Sequence, residues 1–309
     1  MIGVEAPALR RRRAWSIGLA AALAMALACV MANGSAATTK ADAVEALLEK
    51  YASLEEALRQ NKFKQPLVLE SADSRGRLTG DIYAIVAYPL STVSAGVSNA
   101  DHWCDVLILH INTKYCHAVV GSSGTTLRVN IGKKTPEELG DALRIVFNYS
   151  VAAATPGYVE VSLDARDGPL GTRDYRILLE AIALPGNKTF LHLAYSYAID
   201  LFGRLAMNAY FGTAGSDRVG FTVIGTRADG EPDFVAGMRG MLERNTMRYY
   251  LAIDSYLAAV AVTPAAQPEY RLQNWFTAVE RYPRQLHEMD RNEYLEMKRS
   301  ELQRQQTVQ

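Results

Sequence analysis

The chain has 309 residues, 49% of them hydrophobic, and 33 Lys and Arg balance 33 Asp and Glu. A balanced charge with no basic stripe excludes the footprint of a nucleic-acid binder. The length suits one large core, or one domain with an appendage.

The N-terminus reads as an export signal. Arg10, Arg11, Arg12 and Arg13 form a positive region, and an apolar run follows from Trp15 to Ala32. Ser35 and Ala37 then satisfy the small-x-small rule, so residues 1–37 are expected to be a signal peptide cleaved after Ala37. The alternative is an uncleaved membrane anchor, for which this alanine-rich run is near the lower length limit. The expected location is therefore periplasmic or secreted, with a membrane-anchored form if cleavage fails. Cys29, in ALAC, lacks the larger aliphatic residue of a lipoprotein signal, and the residues after the arginines fit twin-arginine export poorly.

Cleavage leaves two cysteines, Cys104 and Cys116, within the stretch DHWCDVLILHINTKYCH. In an oxidising compartment such a pair is most simply a disulfide. The rivals are two free thiols, or a zinc site drawing on His102, His110 and His117, whose spacing matches no common zinc pattern. No metal and no cofactor is expected.

In chain order, residues 40–60 form an amphipathic helix with Val44, Leu47, Leu48, Tyr51, Leu54 and Leu58 on one side. PLVLES and LTGDIYAIVAY read as strands around the turn ADSRGR. Asn99 or Asp101 starts a helix through WCDVLILHI, and YCHAVV is a strand, so a Cys104–Cys116 bond clamps helix to sheet. Thr135, Pro136 and Glu138 predict a short capped helix in TPEELGDA. ALRIVFNYSV, YVEVSL, DYRILLEAIAL and KTFLHLAYSYAI follow at hairpin spacing, and RVGFTVIG is one more strand. The expectation is six or seven mostly antiparallel strands. Pro232 and Asp233 open a helix of nearly thirty residues ending at Pro264, expected to lie across the sheet's concave face. Two charged helices broken at Pro283 follow, anchored by Trp275 and Phe276.

This order resembles the START-like helix-grip superfamily of lipid and hydrophobe binders. The resemblance is carried by GDIYAIVAYPLSTVSAGVSNADHWCDVLIL, the β-block, and FVAGMRGMLERNTMRYYLAIDSYLAAV, and it covers residues 80–262. It implies an α+β fold in which a curved antiparallel sheet grips a long C-terminal helix, with extra N- and C-terminal helices. The expected organisation is signal peptide 1–37, N-terminal helix 38–65, helix-grip domain 66–263 and helical extension 264–309. It also implies a cavity lined by aliphatic and aromatic groups, with a few polar groups to orient a ligand.

Polar residues inside apolar strands, with the adaptable methionines and polar groups on the inner side of the long helix, supply the candidate ligand-binding set: Glu180, His192, Tyr195, Tyr197, Met238, Met241, Asn245 and Tyr249. Tyr195 and Tyr197 face opposite to His192. If the Glu180 face lines the cavity, its carboxylate must be paired or protonated; otherwise it faces solvent or pairs with Arg144 or Arg176. His102 and Asp105 are at i and i+3, near His110 on one predicted helix, and could polarise an imidazole. No G-x-S-x-G, H-E-x-x-H, EF-hand or G-x-G-x-x-G motif occurs, and IGKKT lacks the upstream glycine of a phosphate loop.

The first functional expectation is an exported binding or transfer protein for a lipid or other hydrophobic small molecule. The second is an enzyme on the same fold, cyclase- or hydrolase-like, using Glu180 or His192. The third is an envelope scaffold docking a protein partner through residues 268–302, which requires an exposed apolar patch there.

Overall fold

The computed structural model describes residues 40–211 and 217–307; the expected leader and residues 308–309 lie outside them. No helix among the described residues is long and apolar enough to cross a membrane. The N-terminal helix is present as α1 (Lys40–Ser53) and α2 (Glu55–Arg59). β1 (Leu67–Ser74) and β2 (Arg77–Val86) form a hairpin, tighter than the turn expected over ADSRGR. Its two-residue loop has positive φ at Arg75 (49°) and Gly76 (84°), the pairing that matches strand twist.

α3 (Leu90–Val97) and α4 (Ala100–Leu107) follow, with the Asn99 side chain capping α4 through the Asp101 N–H. Then come β3 (Thr113–Gly121), β4 (Gly124–Ile131), β5 (Leu143–Ala154), β6 (Tyr158–Asp167), β7 (Thr172–Leu184) and β8 (Lys188–Ile199). These join β1 and β2 in one sheet of eight strands, in the order β1-β2-β8-β7-β6-β5-β4-β3, antiparallel throughout. Register shifts at Val151/Ala153 and Arg173/Arg176 introduce bulges that bend β5 and β7.

The long helix α6 (Gly237–Ala258) packs on β2, β1 and β8. It approaches β2 so closely that a Cβ at Gly80 would collide with the Thr246 hydroxyl and crowd Leu242. An antiparallel sheet closed by one long helix is the helix-grip arrangement the resemblance implied.

Several expectations need correction. TPEELGDA is not a capped helix but an extended loop with one 3-10 turn, Leu139–Asp141. Side chains capture its backbone: Lys114 Nζ donates to Thr135 O (3.0 Å) and Arg304 to Glu137 O (3.2 Å). The Glu137 carboxylate meanwhile accepts from Lys133 N (2.8 Å). In RVGFTVIG only β9 (Val223–Thr226) is a strand, paired with β10 (Pro232–Phe234) outside the main sheet. The preceding N–H groups of Phe221 and Thr222 donate instead to the buried Glu243 carboxylate (2.5 and 2.9 Å). Pro232 and Asp233 are thus strand residues, and α6 starts only at Gly237. A further helix, α5 (Leu201–Phe211), had no counterpart in the expected order.

Of the C-terminal helices, α7 (Gln267–Val279) and α8 (Pro283–Leu286) pack on α6, while α9 (Arg291–Thr307) packs on β3 and α7. Leu272, Trp275, Phe276, Tyr294 and Met297 join the same hydrophobic core as the sheet. Trp275 Nε1 donates to Arg248 O (3.1 Å), and Tyr294 OH donates to Leu109 O (2.9 Å). Trp275 and Phe276 are 2% and 8% exposed, so the two anchors expected to dock a partner are spent inside the chain.

Candidate functional site

The disulfide expected from the cysteine pair is formed: Cys104 on α4 and Cys116 on β3 are bonded, with Cα atoms 5.1 Å apart. The neighbouring histidines go elsewhere. His102 Nδ1 lies 3.2 Å from the carbonyls of Ala95 and Gly96, and Asp105 pairs with Arg271 (2.7 Å) rather than with His102. Among the described residues no group of His, Cys, Asp and Glu is placed to hold a metal ion.

Glu180 and His192 do come together, but on the face of the sheet away from α6. They are directly opposite across β7 and β8. His192 Nδ1 lies 3.0 Å from Glu180 Oε2, and Nε2 lies 2.9 Å from Asp81 Oδ1. Tyr83 stacks on the imidazole with ring centroids 4.4 Å apart, and the Tyr158 hydroxyl is 2.7 Å from Glu180 Oε1. Burial alone would lower the His192 pKa, but hydrogen bonds and charge from Asp81 and Glu180 outweigh it and raise the value above 6.5. For Glu180, burial is likewise outweighed, here by His192 and Tyr158, and the carboxyl sits below 4.5. Neither Arg144 nor Arg176 is the partner of Glu180; Arg176 pairs with Asp164 (3.1 Å). α1 and α2 cover the neighbouring part of this face, where Leu47, Leu54 and Leu58 pack on Tyr158, Ile182 and Phe190.

The cavity lies on the other face, between the sheet and α6, with a volume of about 300 Å³. Ile131, Ile145 and Phe147 of β4 and β5 line one side, and Tyr175, Tyr195 and Tyr197 of β7 and β8 continue it. α6 contributes Met241, Asn245 and Tyr249, while α5 supplies Met207. Of the expected set, Tyr195, Tyr197, Met241, Asn245 and Tyr249 therefore meet here. Glu180 and His192 are absent from the lining, and Met238 is a core residue outside it.

His110 was missed as a cavity residue. α4 ends at Leu107, and the turn that follows carries His110 inward to stack on Tyr249, with ring centroids 4.9 Å apart. Its Nδ1 accepts from Asn112 N (3.2 Å), which places the proton of the neutral ring on Nε2, and that nitrogen has no partner at full hydrogen-bond geometry, the Asn245 side chain making only a weaker contact. The Tyr197 hydroxyl is also buried without a partner. Burial, and then the charges of Arg248 and Lys298, hold the His110 pKa well below the ordinary 6.5. Burial raises the phenol pKa of Tyr175, Tyr195, Tyr197 and Tyr249, so these groups stay neutral. Among the described residues no carboxylate lines the cavity.

At the far end from His110, Pro169 and Leu170 of the β6–β7 turn join the lining. Leu170 is 76% exposed and adopts φ 57°, and its carbonyl approaches Gly203 of α5. Leu201, Phe202 and Leu205 of the same helix also face solvent, so this end is framed by exposed apolar side chains.

No protein-family model matches the chain, and no curated protein matches it. Among solved structures the chain is similar to Ara h 8.0201 (11% identity, covering 60% of this chain and 99% of that one, TM-score 0.34). It is also similar to human StAR-related lipid transfer protein 5 (13%, 56% and 88%, TM-score 0.30). A third is the Zhui aromatase/cyclase from Streptomyces sp. R1128 (12%, 67% and 95%, TM-score 0.32). What those names say about lipid transfer or cyclisation belongs to those proteins. The helix-grip description of this chain stands on its strand order and helix placement.

Proposed function

We propose that this chain is an exported binding or transfer protein for a hydrophobic small molecule, held between the sheet and α6. The observation that carries the reading is the cavity itself: aliphatic and aromatic walls, no carboxylate among the described lining residues, and two buried polar atoms without a full hydrogen bond. A largely apolar concavity with a few convergent polar groups is the ordinary form of a small-molecule site. The volume corresponds to roughly ten water molecules at about 30 Å³ each, enough for a compact ligand or a medium-length acyl chain. The Glu180–His192 pair supports a structural role instead, because it lies on the opposite face. Export is supported by the N-terminal pattern of Arg10–Arg13, the apolar run and Ala37, together with the Cys104–Cys116 bond.

The test is a fluorescent apolar probe titrated into wild type and into Met241→Trp, which places a larger side chain in the cavity. Saturable binding by wild type, lost in a variant that still unfolds cooperatively, is the expected result. Equal binding by both would place the probe elsewhere and defeat the reading. The mass of the protein from its own cells reports cleavage after Ala37.

A further inference from the structure

The ends of the cavity differ electrically. Around His110, two buried carboxylates are each shared by more cations than they can neutralise. Glu288 is contacted by Lys134 (2.6 Å), Arg248 (2.7 Å) and Arg218 (2.8 Å). Glu301 is contacted by Lys298 (2.7 Å) and Lys114 (3.0 Å). Both clusters touch the cavity wall. Lys298 Nζ donates to the carbonyls of His110 and Thr113 (2.7 Å each), and Arg248 Nη1 lies 3.4 Å from Asn245 Oδ1. At the Leu170 end, Arg204 is matched one to one by Asp73 (2.8 Å).

We propose that the ligand is an apolar molecule with one anionic head group, a carboxylate, seated at the His110 end with its hydrocarbon running toward Leu170. This rests on the cavity being a binding site. Three features act together. His110 Nε2–H has no acceptor at full hydrogen-bond geometry, the Asn245 side chain making only a weaker contact, and a buried unmet donor costs about 1–3 kcal/mol until an acceptor arrives. The cation excess gives that acceptor a reason to be negative, since charge interactions strengthen away from water. Burial, with that field, keeps His110 neutral, so it donates one hydrogen bond without adding a charge of its own. An ammonium head would meet the same field as repulsion. A hydroxyl head could accept the hydrogen bond but gain nothing from the charge.

The experiment is a calorimetric titration of decanoate, decanol and decylamine, at matched ionic strength and pH 7.5, into wild type and Lys134→Gln. Lys134 is partly exposed and Glu288 keeps two cations without it, so the variant should fold. Decanoate should bind about tenfold more tightly than decanol, with decylamine weakest, as for one partly desolvated charge interaction. Lys134→Gln should weaken decanoate severalfold and leave decanol unchanged. If decanol or decylamine equals decanoate, the head-group assignment is wrong while the cavity reading stands. If none of the three binds, the cavity reading fails with it.

Discussion

Lys298, midway along the last helix, donates to the main-chain carbonyl of His110 at 2.7 Å, joining residues far apart in the chain. One of these residues lines the cavity and the other belongs to a segment that looked like an appendage. The lysine is fully buried and also bonds Thr113 O and Glu301. Helix α9 is therefore part of the wall that holds the site. Burial lowers the Lys298 pKa to about 8, Glu301 opposing the shift and Lys114 adding to it.

That arrangement predicts an asymmetry between two substitutions. Glu301→Gln leaves Lys114 and Lys298 buried without their anion and should cost about 3–5 kcal/mol. Lys298→Met leaves Lys114 and Glu301 as a balanced pair and should cost less, about 2 kcal/mol for the lost hydrogen bonds. Denaturant titration of both variants decides the order, and equal losses would contradict the shared-carboxylate account.

Breaking the covalent clamp should act on stability alone. Cys104→Ser and Cys116→Ser should each lower stability by about 3 kcal/mol, since both remove one bond closing the same loop. Thermal melts of wild type with and without reductant should show the same drop. Identical melts would show that the bond contributes nothing.

The Asp81–His192–Glu180 cluster predicts a pH dependence with a definite sign. The His192 pKa is raised on folding, so its contribution is complete below 6.5 and is lost as pH climbs through the raised value. The Glu180 pKa is depressed, so its contribution is present above 4.5 and is lost as pH falls through the folded value. The two together peak between these pH values. His192→Asn should cost about 1–3 kcal/mol near pH 6 and flatten the alkaline decline. It should leave ligand retention unchanged, because the ring is across the sheet from the cavity. Loss of binding without loss of stability would overturn this placement.

Exposed apolar residues at the Leu170 end should govern passage rather than folding. Phe202→Ser, at a side chain 81% exposed, should change stability by no more than about 0.5 kcal/mol. Stopped-flow mixing should show slower uptake of an apolar probe. An unchanged rate would mean that entry occurs elsewhere.

Most of the fold was legible because strand alternation is a local signal. The burial of β2 alternates as the pattern LTGDIYAIV requires, and the helical spacing from Met238 to Leu257 marks a buried helix. The site was half legible. Sequence parity put Tyr195 and Tyr197 opposite His192, which is correct, but parity cannot say which face is gripped. α1 half-buries the outer face, so Glu180 and His192 looked like polar residues inside a core. His110 was hidden by a helix boundary, since extending α4 past Leu107 placed it beside His102 instead of beneath Tyr249. α5 escaped because Leu201, Phe202 and Leu205 are exposed while Met207 lines the cavity, leaving no clean apolar stripe to read.

The most direct test is a native mass spectrum of the protein isolated from its own cells without added ligand. The account predicts a chain beginning after Ala37, two hydrogens lighter for the disulfide, and carrying a small apolar acid that Met241→Trp fails to retain. A bare chain in both proteins, with no retention when decanoate is supplied, would contradict it.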